Sequence, residues 1–137
     1  MPPRYFTLAE ANAALEELRP LAEEMVAKRR ELVEAQGRRA ALGAQVGTNG
    51  GDLTPSDFAD ADEELEQAAS ALAHIVEQIQ AAGVLVKDLD RGLLDFPALR
   101  GDEEILLCWH VGEDRIGFWH GVEEGFAGRK PVEGSDA

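Results

Sequence analysis

The residues best equipped for chemistry lie in the last third of the chain. Cys108-x-His110 and His120-x-x-Glu123 bring a thiol, two imidazoles and a carboxylate close together in sequence, and these are the donor types that hold zinc and related ions. Histidine and carboxylates beside Trp109 and Trp119 would also suit proton transfer. Further on, Gly125-Phe126-Ala127-Gly128-Arg129-Lys130-Pro131 is a glycine-punctuated turn with two cations. Successive backbone N–H groups in such a turn, with Arg129, can hold a carboxylate or a phosphate. In a chain this acidic the expected use of Arg129 is an ion pair with Glu123, Glu124 or an acid on a helix. No phosphate loop, dinucleotide fingerprint, nucleophile elbow or catalytic triad is present, so no residue is assigned a catalytic role.

Whether these groups meet depends on the strands that carry them. From residue 84 the pattern changes to short β-type runs. Val84–Leu89 and Leu93–Phe96 flank Asp90-Arg91-Gly92, a three-residue loop suited to a type I turn with a G1 bulge. That register sets Lys87 opposite Asp95, an ordinary ion pair. Pro97 is expected to end the second strand, and Arg100-Gly101-Asp102 turns the chain into Glu104–Val111. A short loop over Gly112–Arg115 then pairs Val111 with Ile116, Trp109 with Phe118 and Leu107 with His120. One face so formed is apolar and becomes the core, whereas Cys108 and His110 fall on the face opposite to His120. A slip of one residue would unite the three but break that apolar face, so no metal and no cofactor is expected. In this reading Cys108 is a small buried hydrophobe and His120 a hydrogen-bonded core histidine.

Two helices must support the sheet. Thr7 with Glu10 forms a capping box, and Leu15, Leu18, Ala22, Met25 and Leu32 follow on one helical face. Pro20 predicts a kink or a restart, and Gly47-Thr48-Asn49-Gly50-Gly51 reads as the hairpin loop. After Thr54-Pro55-Ser56-Asp57, a heptad series runs from Phe58 through Ala61, Leu65, Ala68, Leu72, Ile75 and Ile79 to Ala82, and Gly83 stops it. His74 falls off the seam, on the solvated side. Acids early in the second helix face Lys28, Arg29, Arg30, Arg38 and Arg39 late in the first, which selects antiparallel pairing. The predicted architecture is α+β, a single domain over residues 1–137: a helical hairpin at about 8–82, a β-meander of about four strands at 84–120, and a turn and frayed tail over 121–137.

The chain has 137 residues and a formal net charge of -14, from 27 acidic against 13 basic residues. Such a charge repels phosphate backbones and anionic lipid, so nucleic acid and membranes are not expected partners. One cysteine, no apolar span and no signal-type N-terminus point to the cytoplasm. The second sheet face, with Leu106, Cys108 and Trp119, predicts an apolar patch that a two-fold homodimer would cover, unless Tyr5-Phe6 or the Gly125–Pro131 segment folds over it.

The stretches Gly83-Val84-Leu85-Val86-Lys87-Asp88, Gly92-Leu93-Leu94-Asp95-Phe96-Pro97, Leu107-Cys108-Trp109 with Gly112-Glu113, Trp119-His120 and Gly125-Phe126-Ala127-Gly128-Arg129 resemble the uncharacterised bacterial proteins catalogued as domain of unknown function 2203. The resemblance covers essentially the whole chain, with the specific motifs in residues 83–131. It implies no activity. Asp95, Trp109, Trp119, His120 and Arg129 match the pattern and are the candidate binding residues. His110, where the family usually has another polar residue, and Gly121, where it typically has Glu, depart from it. The reading that follows is a non-enzymatic, homo-oligomeric or partner-binding protein. Its alternatives are a small-molecule binder or enzyme around His120 and Arg129, and a metalloprotein.

Overall fold

The computed structural model describes residues 4–48 and 53–132. Helix α1 (Leu8–Thr48) opens on the capping box: the Glu10 N–H donates to Thr7 Oγ1 at 3.0 Å, and the Thr7 N–H donates to the Glu10 carboxylate at 2.9 Å. The helix continues for 41 residues through Pro20 without restarting. Pro20 and Glu16 are both exposed, so the carbonyl that proline leaves without a partner lies on the side open to water. Gly47 and Thr48, read from sequence as loop, belong to α1. Asn49, Gly50 and Gly51 lie outside the described residues, as do residues 133–137 of the expected tail. Helix α2 (Pro55–Ala81) starts with the Thr54 N–H donating to the Asp57 carboxylate at 2.8 Å, and Gly83 ends it at φ 88°. Arg38 pairs with Glu64, and Arg39 with Asp62 at 2.7 Å, so the expected charge matching between the helices holds there. Arg29 instead reaches beyond the hairpin to Asp90, at 3.2 Å. No described helix is long and apolar enough to cross a membrane.

The sheet is an antiparallel meander of five strands in sequential order: β1 (Leu85–Asp88), β2 (Leu93–Arg100), β3 (Glu103–His110), β4 (Phe118–Gly121) and β5 (Lys130–Pro131). The fifth strand, where sequence suggested only a turn, is added by a one-turn 3-10 helix at Phe126–Gly128 that brings the chain back beside β4. Val132 is held as well, its N–H donating to the Gly117 carbonyl at 3.0 Å.

Pro97 does not end β2. Its carbonyl accepts the Phe6 N–H at 2.7 Å, so its backbone polar groups point away from β3, and β1 has already stopped pairing at Asp95. A missing N–H therefore costs no ladder bond. The first hairpin also shifts: Leu85, not Lys87, lies opposite Asp95, and the register is irregular between Val86 and Asp88. The Asp88 carboxylate takes the N–H groups of Asp90 and Arg91 at 2.9 and 3.1 Å and tightens that turn.

The core lies between one sheet face and the near half of the hairpin. Leu94, Phe96, Ile105, Leu107 and Trp109 pack with Phe6, Leu15, Met25, Leu72, Ile75 and Ile79, all buried. Phe58, Ala61, Leu65 and Ala68, on the far half of the heptad series, are only half-buried.

Candidate functional site

The decisive departure from the expected arrangement is the register of β3 with β4. Leu106 faces His120, Leu107 faces Trp119 and Cys108 faces Phe118, one residue away from the predicted pairing. The loop from Val111 to Gly117 is longer than expected because α1 holds it. Arg19 donates to the carbonyls of Glu113 and Asp114 at 3.1 and 2.6 Å, and the Ile116 N–H donates to Asn12 Oδ1 at 2.9 Å. The Trp109 indole N–H closes the same loop on the Glu113 carbonyl at 2.9 Å. Ile116 thus enters the core from the loop and not from the strand. The slip breaks no apolar face, since Trp119 simply takes the inward place that Phe118 was expected to fill.

Residues directly opposite in a ladder share a face, as do residues two apart along a strand. Asp95 pairs with Cys108, and His120 with Leu106, so Asp95, Cys108 and His120 meet on the face away from the helices. Their exposures are 2%, 0% and 3%. One donor atom from each lies within 4.8 Å of the others. His120 Nε2 is 3.1 and 3.2 Å from the two oxygens of Asp95, and its Nδ1 is 2.8 Å from the Gly121 carbonyl oxygen. A carbonyl can only accept, so Nδ1 carries a hydrogen and Nε2 is the nitrogen turned into the cluster. Asp95 therefore serves His120 and not Lys87. The Cys108 thiol is pushed up to about 12, first by burial and then by the charge of Asp95, with Arg129 pulling the other way.

Arg129 closes the cluster from above. Its Nη2 lies 2.8 Å from each oxygen of Glu113 and 3.5 Å from the Cys108 carbonyl, and its guanidinium sits 4.1 Å over the Phe118 ring and 4.7 Å over Phe126. The ion pair is of the expected kind, but the acid is Glu113 and not Glu123, Glu124 or a helix acid. Its Nε is buried with no hydrogen-bond partner among the described residues. Phe126 packs in turn on His110, with ring centres 5.9 Å apart. The Gly125–Pro131 segment thus covers the Cys108 and Phe118 part of the second sheet face, while Leu85 and Leu99 on that face stay 42% and 44% exposed. Leu106 and Cys108 are 3% and 0% exposed within a single chain, and Trp119 faces the core. Leu106 and Cys108, expected to carry a sheet-mediated dimer, are thus not open to a partner.

Of the five candidate residues, the fold joins Asp95 and His120 directly and sets Arg129 over their neighbour Cys108. Trp109 and Trp119 lie on the other face, in the core. An edge of Trp119 reaches the surface between Arg100 and Lys130, which stand 4.9 and 4.8 Å over its ring. Lys130 also pairs with Glu124 at 2.8 Å, and with the Gly121 N–H it holds that carboxyl below its usual range. A side chain at Gly121 would press on this carboxylate, whose Oε1 lies 3.0 Å from the position of an added Cβ. Two participants were not among the candidate residues. Cys108 was traceable through the Cys108-x-His110 spacing once Phe118 and Trp119 are allowed to exchange places, and Glu113 lies in the Gly112-Glu113 stretch of the family resemblance, although nothing in the sequence pairs it with Arg129.

Chemically the site is closed. His120 and Arg129 do not converge on an open cleft, and the buried thiol is held far from the thiolate form that a nucleophile needs. Asp95, Cys108 and His120 supply one oxygen, one sulfur and one nitrogen, which only an occupant of atomic size could reach.

Neither a curated protein nor a solved structure matches the chain. Residues 4–132 do match the uncharacterized conserved proteins of DUF2203, and the chain belongs to that family.

Proposed function

We propose that this protein acts by binding and not by catalysis, as a homodimer joined through the far half of its helical hairpin. The observation that carries the reading is an open seam. Among the described residues beyond Glu31, the ion pairs of α1 run to α2, and the two helices leave the heptad positions Phe58, Ala61, Leu65 and Ala68 only half-buried. Leu32, Leu42, Phe58 and Leu65 are left half-buried around a groove lined by Ala35, Ala41, Leu42 and Ala61, with Arg38 on one bank and Asp57, Asp60 and Glu64 on the other.

A second copy fits that groove by charge. The bank on α1 is basic and the bank on α2 acidic, and a two-fold axis sets each beside its opposite in the other chain. The open stretch of about 20 residues is ~30 Å long, and two helices are ~20 Å wide, which gives ~600 Å² per partner against the ~800 Å² usual for a specific interface. The product is a four-helix bundle with a covered sheet at each end. The single cysteine, buried and without a disulfide partner, supports a reducing, cytoplasmic setting for it, and the family resemblance a bacterial one.

Light scattering coupled to size exclusion at moderate salt tests this. The expected species is a dimer at tens of micromolar, which Ala41→Glu dissociates while the helical circular dichroism is unchanged, because Ala41 is exposed in the single chain. A monomer, or a dimer indifferent to Ala41→Glu, overturns the reading.

A further inference from the structure

The cluster left unused by a docking function is the buried one on the second sheet face. We infer that Asp95, Cys108 and His120 form a binding site for a single divalent ion of the zinc class. The three come from three neighbouring strands, β2, β3 and β4, so the ladder fixes their separation, and their donor atoms lie within 4.8 Å of one another. The ring of His120 is oriented as in many metal sites: Nδ1–H is spent on the Gly121 carbonyl at 2.8 Å, which aims Nε2 at the other two donors. The two Asp95 oxygens stand at nearly equal distances from Nε2, 3.1 and 3.2 Å. Two ligands on one tetrahedral ion with bonds of ~2.0–2.2 Å stand ~3.3–3.6 Å apart, so the pair has to open by only a few tenths of an ångström to admit one.

The donor set decides the class of ion. One imidazole, one thiol and a single carboxylate favour Zn²⁺, Co²⁺ or Ni²⁺, whereas Ca²⁺ and Mg²⁺ want six or more oxygens. Binding balances simply: the ion enters, the Cys108 S–H bond ionises, the thiol proton and any proton held between Nε2 and Asp95 leave to water, and nothing is oxidised or reduced. The ion replaces those protons and gives the buried carboxylate a full counter-charge. The Gly125–Pro131 segment, with Arg129 over Phe118, closes the site from solvent, so the role is to fasten this face of the sheet and not to activate a substrate.

The full chain refolded from denaturant in the presence of Co²⁺, then desalted, tests the proposal without depending on entry into a closed site. The expected result is one ion per chain with thiolate-to-cobalt charge-transfer absorption, displaced by Zn²⁺, together with a rise in melting temperature. Cys108→Ser should abolish the charge-transfer band, and His120→Gln should lower ion retention at least tenfold. His74→Ala, at an exposed histidine of α2, should change neither. Folded protein that retains no ion overturns the site. So does an ion that survives Cys108→Ser and His120→Gln, or one lost with His74→Ala. Should Cys108→Ser fail to fold, alkylation of wild-type protein refolded with and without the ion, at a urea concentration where the ion-free thiol reacts, decides: the ion must protect Cys108, and a thiol equally reactive with and without it overturns the assignment.

Discussion

Asp95 and His120 have each left water almost entirely, so each is the other's main electrostatic compensation, and removing one strands the other. Asp95→Ala is expected to cost about 3–5 kcal/mol in urea unfolding, and the double variant with His120→Ala to cost clearly less than the two single losses added. Additive losses would mean that the pair is not coupled. Cys108 gives a second measurement. Its pKa lies above the ordinary 9.0, at about 12, so the folded state holds the thiol proton more tightly than the unfolded state does. That contribution is complete below about pH 9 and is lost as pH rises through about 12, so the urea midpoint should fall over this range more steeply in wild-type protein than in Cys108→Ala. At pH 8 the native thiol should be alkylated roughly a thousandfold more slowly than the same thiol in denaturant, since that is the ratio of thiolate fractions. At this scale the sequence showed which residues could do chemistry. It did not show that Asp95 would face His120, because a partner 25 positions away is chosen by strand register.

Among the elements, the heptad series of α2 is right in spacing but uneven in consequence. Leu72, Ile75 and Ile79 lie under the sheet and are buried, and the earlier positions of the same series are not. Leu72→Ala should therefore cost about 2–5 kcal/mol, and Leu65→Ala distinctly less in the monomer, by denaturant unfolding. Equal losses would mean that the far half of the hairpin is as well packed as the near half. The β1–β2 turn makes a sharper case. Gly92 sits at φ 64°, and a Cβ there would come within 2.9 Å of the Val26 side chain and closer still to Val111. Gly92→Ala should destabilise by about 1–3 kcal/mol through strain and overpacking together, read as a lower melting temperature. The β3–β4 connection was misread for a physical reason. Phe118 and Trp119 are adjacent and both apolar, so alternation alone does not say which points inward, and the choice falls to Asn12 and Arg19 on α1, which hold the loop about a hundred residues away in sequence.

The molecule as a whole distributes its apolar surface differently from the way its strands suggested. Ending the chain after Gly121 should uncover Cys108 and Phe118, with increased binding of a hydrophobic dye and a thiol that reacts in the folded state; an unchanged thiol would mean that the Gly125–Pro131 segment is not the cover. If the far hairpin joins two chains, their self-repulsion at a net charge of -14 makes association weaker at low ionic strength than at moderate salt, which a dilution series resolves. The sequence by itself determined the α+β class, the two helices, the capping box at Thr7 and Glu10 and the meander order, because caps, periods and glycine turns act over a few residues and their physics is local. Only the tertiary structure decided that Pro97 continues its strand, that a fifth strand forms, that Arg129 chooses Glu113, and that Asp95, Cys108 and His120 share a face. Each of those outcomes turns on a one-residue register, or on which partner a distant segment brings, and neighbouring choices there differ by less than the energy that the long-range contacts supply.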